Sequence, residues 1–555
     1  ARLVSRQRNR NFLSSYVFGT TREPLRADTI GQALNAASHR QPDQKAFTFC
    51  FGSETVGNSG PRIVRSIGQL RTDVDRLAAG LLAAGLEPGD RIGFAAAKAG
   101  LVLVPMNPAY RADELRYCAN RVGLRALVYS AKFKSSDYNR MLDLWPHLGT
   151  TQKSCLASEV LLVDSGWPAA HYTRGSMPTL SHLIAMDDIN RPGVFGFNEI
   201  CPVGENSDAL DRTARIEVRV QMDDIACILF TSGTTGSPKG AALTHHSILN
   251  NAHFAGINAG FDGFRQRICL PVPFYHCFGM AMGNLQVLLH SASLVYPAPS
   301  FDPVATIDAI ETERCTAVYC TPTMLIDLLE QPGVASRNLC SLSGGIIGGA
   351  SCPPEIIRRA ISELGMSRVT MGYGATEPSP IIFHCRWDDS QEKQQSLVGR
   401  VAPHVEVKIV NAEGLLVPRG QLGEICTRGY LLMRGYHNKP EATGEVIGPD
   451  RWYKTGDLGF IDEDGYGYVK GRIKDMVVGV PDPRMGEELC AVVRLKTPVS
   501  AEDLRAYVRC RIAHFKVPRY AIFRDHEMPM TVTGKVQKFK LREEVVKELK
   551  LEFLK

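Results

Sequence analysis

Apolar residues recur at helical spacing at Leu70, Val74, Leu77 and Leu81, behind a Ser66/Gln69 pair of the kind that caps a helix start. The pattern predicts an amphipathic helix that Gly85 closes. Pro88-Gly89-Asp90 reads as a turn, and Arg91–Phe94 as the start of a strand. Short apolar runs alternate with helical ones through this half, so an α/β fold with a largely parallel sheet is expected. Leu101–Val104 reads as the next strand, yet only Ala95–Gly100 lie between the two. A parallel crossover takes about a dozen residues or more. Either these strands are not parallel neighbours, or residues are missing between them. The mixed, partly polar stretch Pro168–Arg215 reads as loop-rich. Ala226–Phe230 then predicts an apolar strand that runs into a Gly/Thr/Ser loop, and further α/β units follow to about Pro378. The alternation of Val405–Val410 and the run Gly423–Arg428 predict a β-rich stretch. The pattern changes near Arg472–Met476, where a small terminal module begins. That module ends in a charged amphipathic helix over about Phe539–Leu554.

Composition narrows the class. The chain has 555 residues, 44% hydrophobic and 22% charged, which excludes a wholly disordered chain and leaves room for a sizeable core. Lys plus Arg number 64 against 58 Asp plus Glu, a formal +6. Over this length that excess is thin and does not point to nucleic acid. No apolar stretch reaches the ~18–20 residues of a spanning helix, and the best candidate, Ile92–Met106, is interrupted by Lys98. The 15 cysteines form no paired CxxC motifs. Their odd number argues against a purely intramolecular disulfide framework, so a reducing compartment is expected. Cys315, Cys320, Cys340 and Cys352 read as core or near-core thiols. The first 22 residues carry five arginines and no acid before Glu23, like the end of a mitochondrial transit peptide.

The strongest chemical signal is Thr231-Ser232-Gly233-Thr234-Thr235-Gly236-Ser237-Pro238-Lys239-Gly240, directly after the strand. Glycines let the backbone approach a ligand closely, free N–H groups and hydroxyls can wrap phosphate oxygens, and Lys239 adds a cation. It is not a Walker A loop, because no Gly-Lys-Ser/Thr follows.

This string resembles the phosphate-binding signature of the adenylate-forming enzymes, which include acyl-CoA synthetases, firefly luciferase and peptide-synthetase adenylation domains. Other motifs resemble the family's in the same order. In Tyr373-Gly374-Ala375-Thr376-Glu377, the resemblance implies an aromatic beside adenine, a Thr at the α-phosphate and Glu377 on Mg²⁺. Gly348-Gly349-Ala350 resembles the small-residue strand end against which adenine lies, and Tyr275-His276-Cys277-Phe278-Gly279 the segment whose His lies near the substrate carboxylate. Tyr453-Lys454-Thr455-Gly456-Asp457 implies Asp457 on the ribose hydroxyls. Gly471-Arg472-Ile473-Lys474-Asp475 implies Arg472 on the ribose and Asp475 as a hinge. Thr533-Gly534-Lys535-Val536 resembles the catalytic-lysine motif, in which Lys535 would bridge the carboxylate and the α-phosphate. Within the family, Tyr275–Gly279, Pro481–Glu488 and Ile512–Leu541 look nearest a mitochondrial medium-chain acyl-CoA synthetase branch.

Two departures stand out. Members of the family follow Gly-Asp-Arg-Ile-Gly with a loop and helix, whereas here Phe94 runs directly into Ala95. Members also follow Lys-Asp-x-Ile with a Gly-Gly-x-Asn-Ile-x-Pro stretch, a helix and a strand that line the pantetheine channel. Here Met476 runs into Val477, which already resembles a later strand. About a quarter of the terminal module is missing by ordinary element lengths, and the natural protein is expected to contain both segments.

The resemblance implies a large amino-terminal domain (23–474) of two α/β subdomains and a β-rich lobe, after a basic end (1–22). A small, mobile, apparently truncated α+β module (475–555) would follow. It implies ligation of a medium-chain fatty acid to coenzyme A with ATP and Mg²⁺, through an acyl-adenylate, in the mitochondrial matrix. The missing segment keeps open an adenylating enzyme without the thioester step, or a non-catalytic nucleotide- or acyl-binding protein.

Overall fold

A computed structural model describes residues 14–50, 62–93, 97–134, 136–143, 177–187, 191, 193–231, 238–263, 265–350, 352–396, 398–472, 477–482, 486–493, 500–502, 505, 509, 517–524 and 538–551. Three large sheets carry the fold. An eight-stranded sheet runs in the order Val194–Gly196, His182–Ala185, Ala126–Tyr129, Arg91–Ile92, Val102–Leu103, Ile225–Thr231, Lys239–Thr244, Gly435–Tyr436. A nine-stranded sheet runs from Arg400–Val401 through Ile381–His384, Arg368–Gly374, Gly344–Gly348, Ala317–Cys320, Arg267–Cys269, Ser293–Tyr296 and Lys45–Cys50 to Arg62–Ser66. The third sheet is antiparallel and five-stranded: Tyr16–Phe18, Val405–Val410, Gly423–Gly429, Tyr453–Ile461, Gly467–Arg472. The two α/β subdomains and the β-rich lobe are therefore all present. Both α/β sheets are largely parallel, as the pattern predicts; the eight-stranded sheet turns antiparallel at one end and the nine-stranded sheet at both.

One helix joins the three sheets. His245–Asn258 is buried nearly all round, as a helix between layers must be. Its Ile248, Leu249, Ala252 and Ala255 share a single core with Cys227, Leu229 and Leu243 of the first sheet. That core also takes in Ile268, Tyr319, Ile346 and Phe383 of the second sheet, and Val405, Val407 and Ile425 of the third.

The local signals mostly hold. The helix Ile67–Ala83 starts on Ser66, whose hydroxyl accepts from Gln69 N at 3.2 Å while Gln69 Oε1 accepts from Ser66 N at 2.9 Å. Val405–Val410 alternates buried and half-buried positions as its pattern predicts. Three readings are corrected. Of Pro168–Arg215, the part from 177 onward holds strands His182–Ala185 and Val194–Gly196 and helices Phe197–Val203 and Ser207–Glu217. The last helix buries only Thr213, so it carries almost no apolar stripe to read. Cys315 and Cys320 are buried, but Cys340 is exposed, and the cysteines among the described residues are free thiols. The terminal helix is Lys538–Glu548, shorter than its pattern suggests, with Leu541 and Val545 packed on Val480, Cys490, Val492 and Ile522.

The short crossover resolves one way. Arg91–Ile92 and Val102–Leu103 are parallel neighbours, each only two residues long, and among the described residues of the link a 3₁₀ turn, Ala97–Ala99, leads into the second strand. The turn carries Lys98 into the interior. Its ammonium donates to Asn35 Oδ1 at 2.9 Å and pairs with Asp75 and with Glu217 at 3.4 Å, tying together helices Ile30–Arg40, Ile67–Ala83 and Ser207–Glu217. Removing one partner of such a cluster strands the others, at a cost of about 2–3 kcal/mol for acids that keep some exposure. Lys98→Met is expected to lower the thermal unfolding midpoint by several degrees, whereas an unchanged midpoint would mean that the cluster does not stabilise the link.

Candidate functional site

The two ends of the Gly/Thr/Ser string, Thr231 and Lys239–Gly240, lie on neighbouring strands of a β-hairpin. Strand Ile225–Thr231 pairs antiparallel with Lys239–Thr244, and Thr231 faces Lys239 across the ladder. Thr231, Pro238 and Lys239 are half-buried at the base of the loop. Ser232, Gly233, Thr234, Thr235, Gly236 and Ser237 lie outside the described residues, as do Asp475 and Lys535.

The second motif closes a parallel strand pair. Gly344–Gly348 and Arg368–Gly374 run side by side, with Gly348 opposite Gly372. Gly349 and Tyr373 therefore emerge at the same carboxyl-terminal edge, the edge at which open α/β sheets bind ligands. Gly349 has φ +92°, a left-handed conformation that disfavours other residues, and it is exposed. The chain then turns through Ala375, Thr376 and Glu377 into the antiparallel strand Ile381–His384. Ala375 N donates to Pro380 O at 3.0 Å, and Ser379 N to Thr376 O at 3.2 Å. Asn251, from the central helix, grips both backbone groups of Ile381 at 2.9 and 3.0 Å. A Cβ on Gly374 would lie 1.7 Å from the Pro380 carbonyl oxygen, so only glycine fits.

This turn delivers Glu377 to a buried position. Its Oε1 accepts from the Tyr436 hydroxyl at 2.6 Å, and its carbonyl accepts from Met433 N at 2.7 Å. The Lys239 ammonium lies 5.0 Å from the centre of the same Tyr436 ring. Asp457 arrives from the third sheet, also buried, and its Oδ2 accepts from the Tyr373 hydroxyl at 2.6 Å. Thr455 shapes the approach: its hydroxyl donates to Ile425 O at 2.8 Å and accepts from Asp457 N at 3.0 Å. Arg472 lies opposite Asp457 in the strand ladder.

Tyr453 sits among these groups. Burial first, then Glu377, Tyr436, Tyr373 and Asp457, push its phenol well above the usual range. Burial and Glu377 do the same to Tyr436. Both phenols stay protonated, so Tyr436 can only donate to its carboxylate. Two buried acids, each held by a tyrosine, thus share one neighbourhood with the base of the glycine-rich hairpin. Such a set can accept from sugar hydroxyls and offer a carboxylate to a hard cation. Among the described residues no group of three or more His, Cys, Asp or Glu could hold a metal by itself. One carboxylate with phosphate oxygens completing the shell is the usual Mg²⁺ arrangement, and Glu377 fits it.

His276 is built separately. It is exposed in the turn before the helical segment Phe278–Gly283, and its Nδ1 accepts from Phe278 N at 3.2 Å. That bond leaves the other ring nitrogen, Nε2, as the donor of the neutral imidazole. Cys277 beside it is buried in the same core as Cys227 of the hairpin strand. The hydrogen bonds of His276 among the described residues stay within its own turn. Tyr436 was not singled out by any motif; its place beside Glu377 arises from sheet pairing across almost two hundred residues.

Residues 34–437 match the AMP-binding enzyme family, and residues 476–535 match the AMP-binding enzyme C-terminal domain. The chain belongs to the AMP-binding enzymes. It is 39% identical to the medium-chain acyl-CoA ligase ACSF2, mitochondrial, of Danio rerio, over 97% of this chain and 92% of the relative. The Homo sapiens protein of the same name is 36% identical over 97% and 91%. The Danio rerio alignment spans 583 positions against the 555 residues of this AMP-binding enzyme, so the relative carries residues with no counterpart here. Among solved structures, the amide bond synthetase McbA of Marinactinospora thermotolerans shares the fold with a TM-score of 0.69 at 25% identity, covering 93% of this chain and 99% of that one. The o-succinylbenzoate CoA synthetase of Bacillus subtilis does so with a TM-score of 0.67 at 20% identity, covering 93% and 99%.

The fit at Gly374 makes a direct test. Gly374→Ala must open the turn that carries Glu377, at a cost of about 2 kcal/mol, and is expected to lower the thermal midpoint clearly. A midpoint equal to that of the parent would show that the turn is looser than described.

Proposed function

We propose that this AMP-binding enzyme joins a medium-chain fatty acid to coenzyme A at the expense of ATP. The observation that carries the reading is the pair of buried acids Glu377 and Asp457, each bonded to a tyrosine, with the Tyr436 that holds Glu377 also facing Lys239 at the base of the hairpin. Medium chain length follows from the names of the relatives. In the first step the fatty acid carboxylate attacks the α-phosphate and pyrophosphate leaves, giving acyl-AMP. In the second, the thiolate of coenzyme A attacks the acyl carbon and AMP leaves.

The residues divide this work. Thr231–Lys239 wrap the phosphates, Tyr373 and Gly349 flank adenine, Gly374, Ala375 and Thr376 approach the α-phosphate, and Asp457 with Arg472 receives the ribose hydroxyls. Glu377 holds Mg²⁺, which neutralises phosphate charge when bound. His276 lies at the acyl side. Lys535 is presented by the module 475–555, which turns about Asp475 against the domain 23–474. Its cation stabilises charge that develops between carboxylate and α-phosphate, and a turning module lets one site serve both steps. The basic end 1–22 and the names of the relatives support import into mitochondria, in the matrix. No helix among the described residues is long and apolar enough to cross a membrane.

A second reading rests on one observation. Strand Val477–Asp482 starts directly after Met476, where the family's channel segment would stand. An enzyme built so would form acyl-AMP and pass little of it to coenzyme A.

A quenched reaction of the purified chain with octanoate, MgATP and coenzyme A, read by mass spectrometry, separates the two. Octanoyl-CoA is the expected product, and octanoyl-AMP alone would select the second reading. Neither product from folded protein, across several chain lengths, would overturn both. Lys535→Ala is expected to slow pyrophosphate release about 100-fold or more. Asp457→Ala is expected to weaken ATP binding about tenfold or more by titration calorimetry, and unchanged affinity would remove the ribose assignment.

A further inference from the structure

Tyr436 touches both charged ends of the proposed MgATP site. Its short strand Gly435–Tyr436 pairs with Lys239–Thr244 at the edge of the eight-stranded sheet, with Tyr436 opposite Ala241. Its backbone N–H donates to Thr443 Oγ1 at 2.9 Å, and Met433, three residues earlier, holds the Glu377 carbonyl at 2.7 Å. The buried side chain is thereby fixed from two sides. Its hydroxyl donates to Glu377 Oε1 at 2.6 Å, and the Lys239 ammonium stands 5.0 Å from its ring centre. One ring therefore offers its edge to an anion and its face to a cation, each in the favourable sense. An ammonium and a carboxylate that meet the same side chain attract. Paired directly, they would close the space that a metal and a triphosphate must enter.

We propose that Tyr436 is a positioning residue for MgATP. Its hydroxyl engages one oxygen of Glu377 and orients the other towards the metal, and its ring holds Lys239 apart from that carboxylate for the phosphates. The inference rests on the reading of Glu377 as the metal carboxylate and Lys239 as a phosphate cation.

Binding of ATP to the full chain, followed by calorimetry across a magnesium titration, tests it in four proteins: the parent, Tyr436→Phe, Tyr436→Leu and Glu377→Gln. Tyr436→Phe keeps the ring and loses the hydroxyl. The magnesium concentration for half-maximal ATP binding is expected to rise about tenfold, the loss of one hydrogen bond to a charged group. ATP affinity without magnesium should stay within about twofold of the parent, as one ring replaces another of like shape. Tyr436→Leu removes the cation's platform as well, and should also weaken ATP binding without magnesium. If Glu377→Gln shifts the magnesium dependence and Tyr436→Phe does not, the positioning role is wrong and the reading of Glu377 stands. If Glu377→Gln leaves it unchanged, the reading of Glu377 fails and takes this inference with it. A loss in Tyr436→Phe that is equal with and without magnesium, accompanied by a lower thermal midpoint, would reduce Tyr436 to a structural role.

Discussion

Glu377 and Asp457 are buried acids, and each keeps its place through a tyrosine hydroxyl at 2.6 Å. A carboxylate taken out of water is costly unless it is hydrogen-bonded. The partners come from distant parts of the chain: Tyr373 from the nine-stranded sheet reaches Asp457 on the five-stranded one, and Tyr436 on the eight-stranded sheet reaches Glu377 beyond the nine-stranded one. The two bonds therefore tie three sheets together, and Tyr453 is buried where both acids influence its phenol. Any movement of one sheet against another would stretch one of these two bonds.

The scaffold supplies what this junction needs. The helix His245–Asn258 packs on all three sheets in one continuous core, so their relative placement is set by burial rather than by loops. The same helix contributes Asn251, whose side chain holds the backbone of Ile381 just after the turn that carries Glu377. Thr455 performs the equivalent task for Asp457, through the backbone of Ile425 and of Asp457 itself. Rigid support of this kind is what a site requires if its donors and acceptors are to meet a ligand without rearranging.

Much of this was legible because the informative features are local. A capping pair at Ser66 and Gln69, an alternating run at Val405–Val410 and a glycine-rich string after a strand each declare themselves within a few residues. The helix Ser207–Glu217 did not, because Thr213 is its one fully buried residue and its other ties are Ile216 at the margin of the core, Arg212 on the Leu82 carbonyl and Glu217 on Lys98. Lys98 looked like an interruption in an apolar run, yet it is a buried cation, because its three partners lie in helices whose approach cannot be read along the chain. Tyr436 was invisible for the same reason: its partners, Lys239 and Glu377, are brought to it by sheet pairing and by a turn, not by spacing.

The proposed nucleotide site is the tyrosine–carboxylate junction together with the adjoining hairpin. Hydrogen–deuterium exchange of the full chain, with and without MgATP, tests it most directly. Such a site requires slower exchange with MgATP at Thr231–Thr244, Gly348–Ala350, Gly372–His384 and Tyr453–Asp457. It requires no change at the far edge of the eight-stranded sheet, His182–Ala185 and Val194–Gly196. Protection confined to other segments, with the junction exchanging as before, would contradict it.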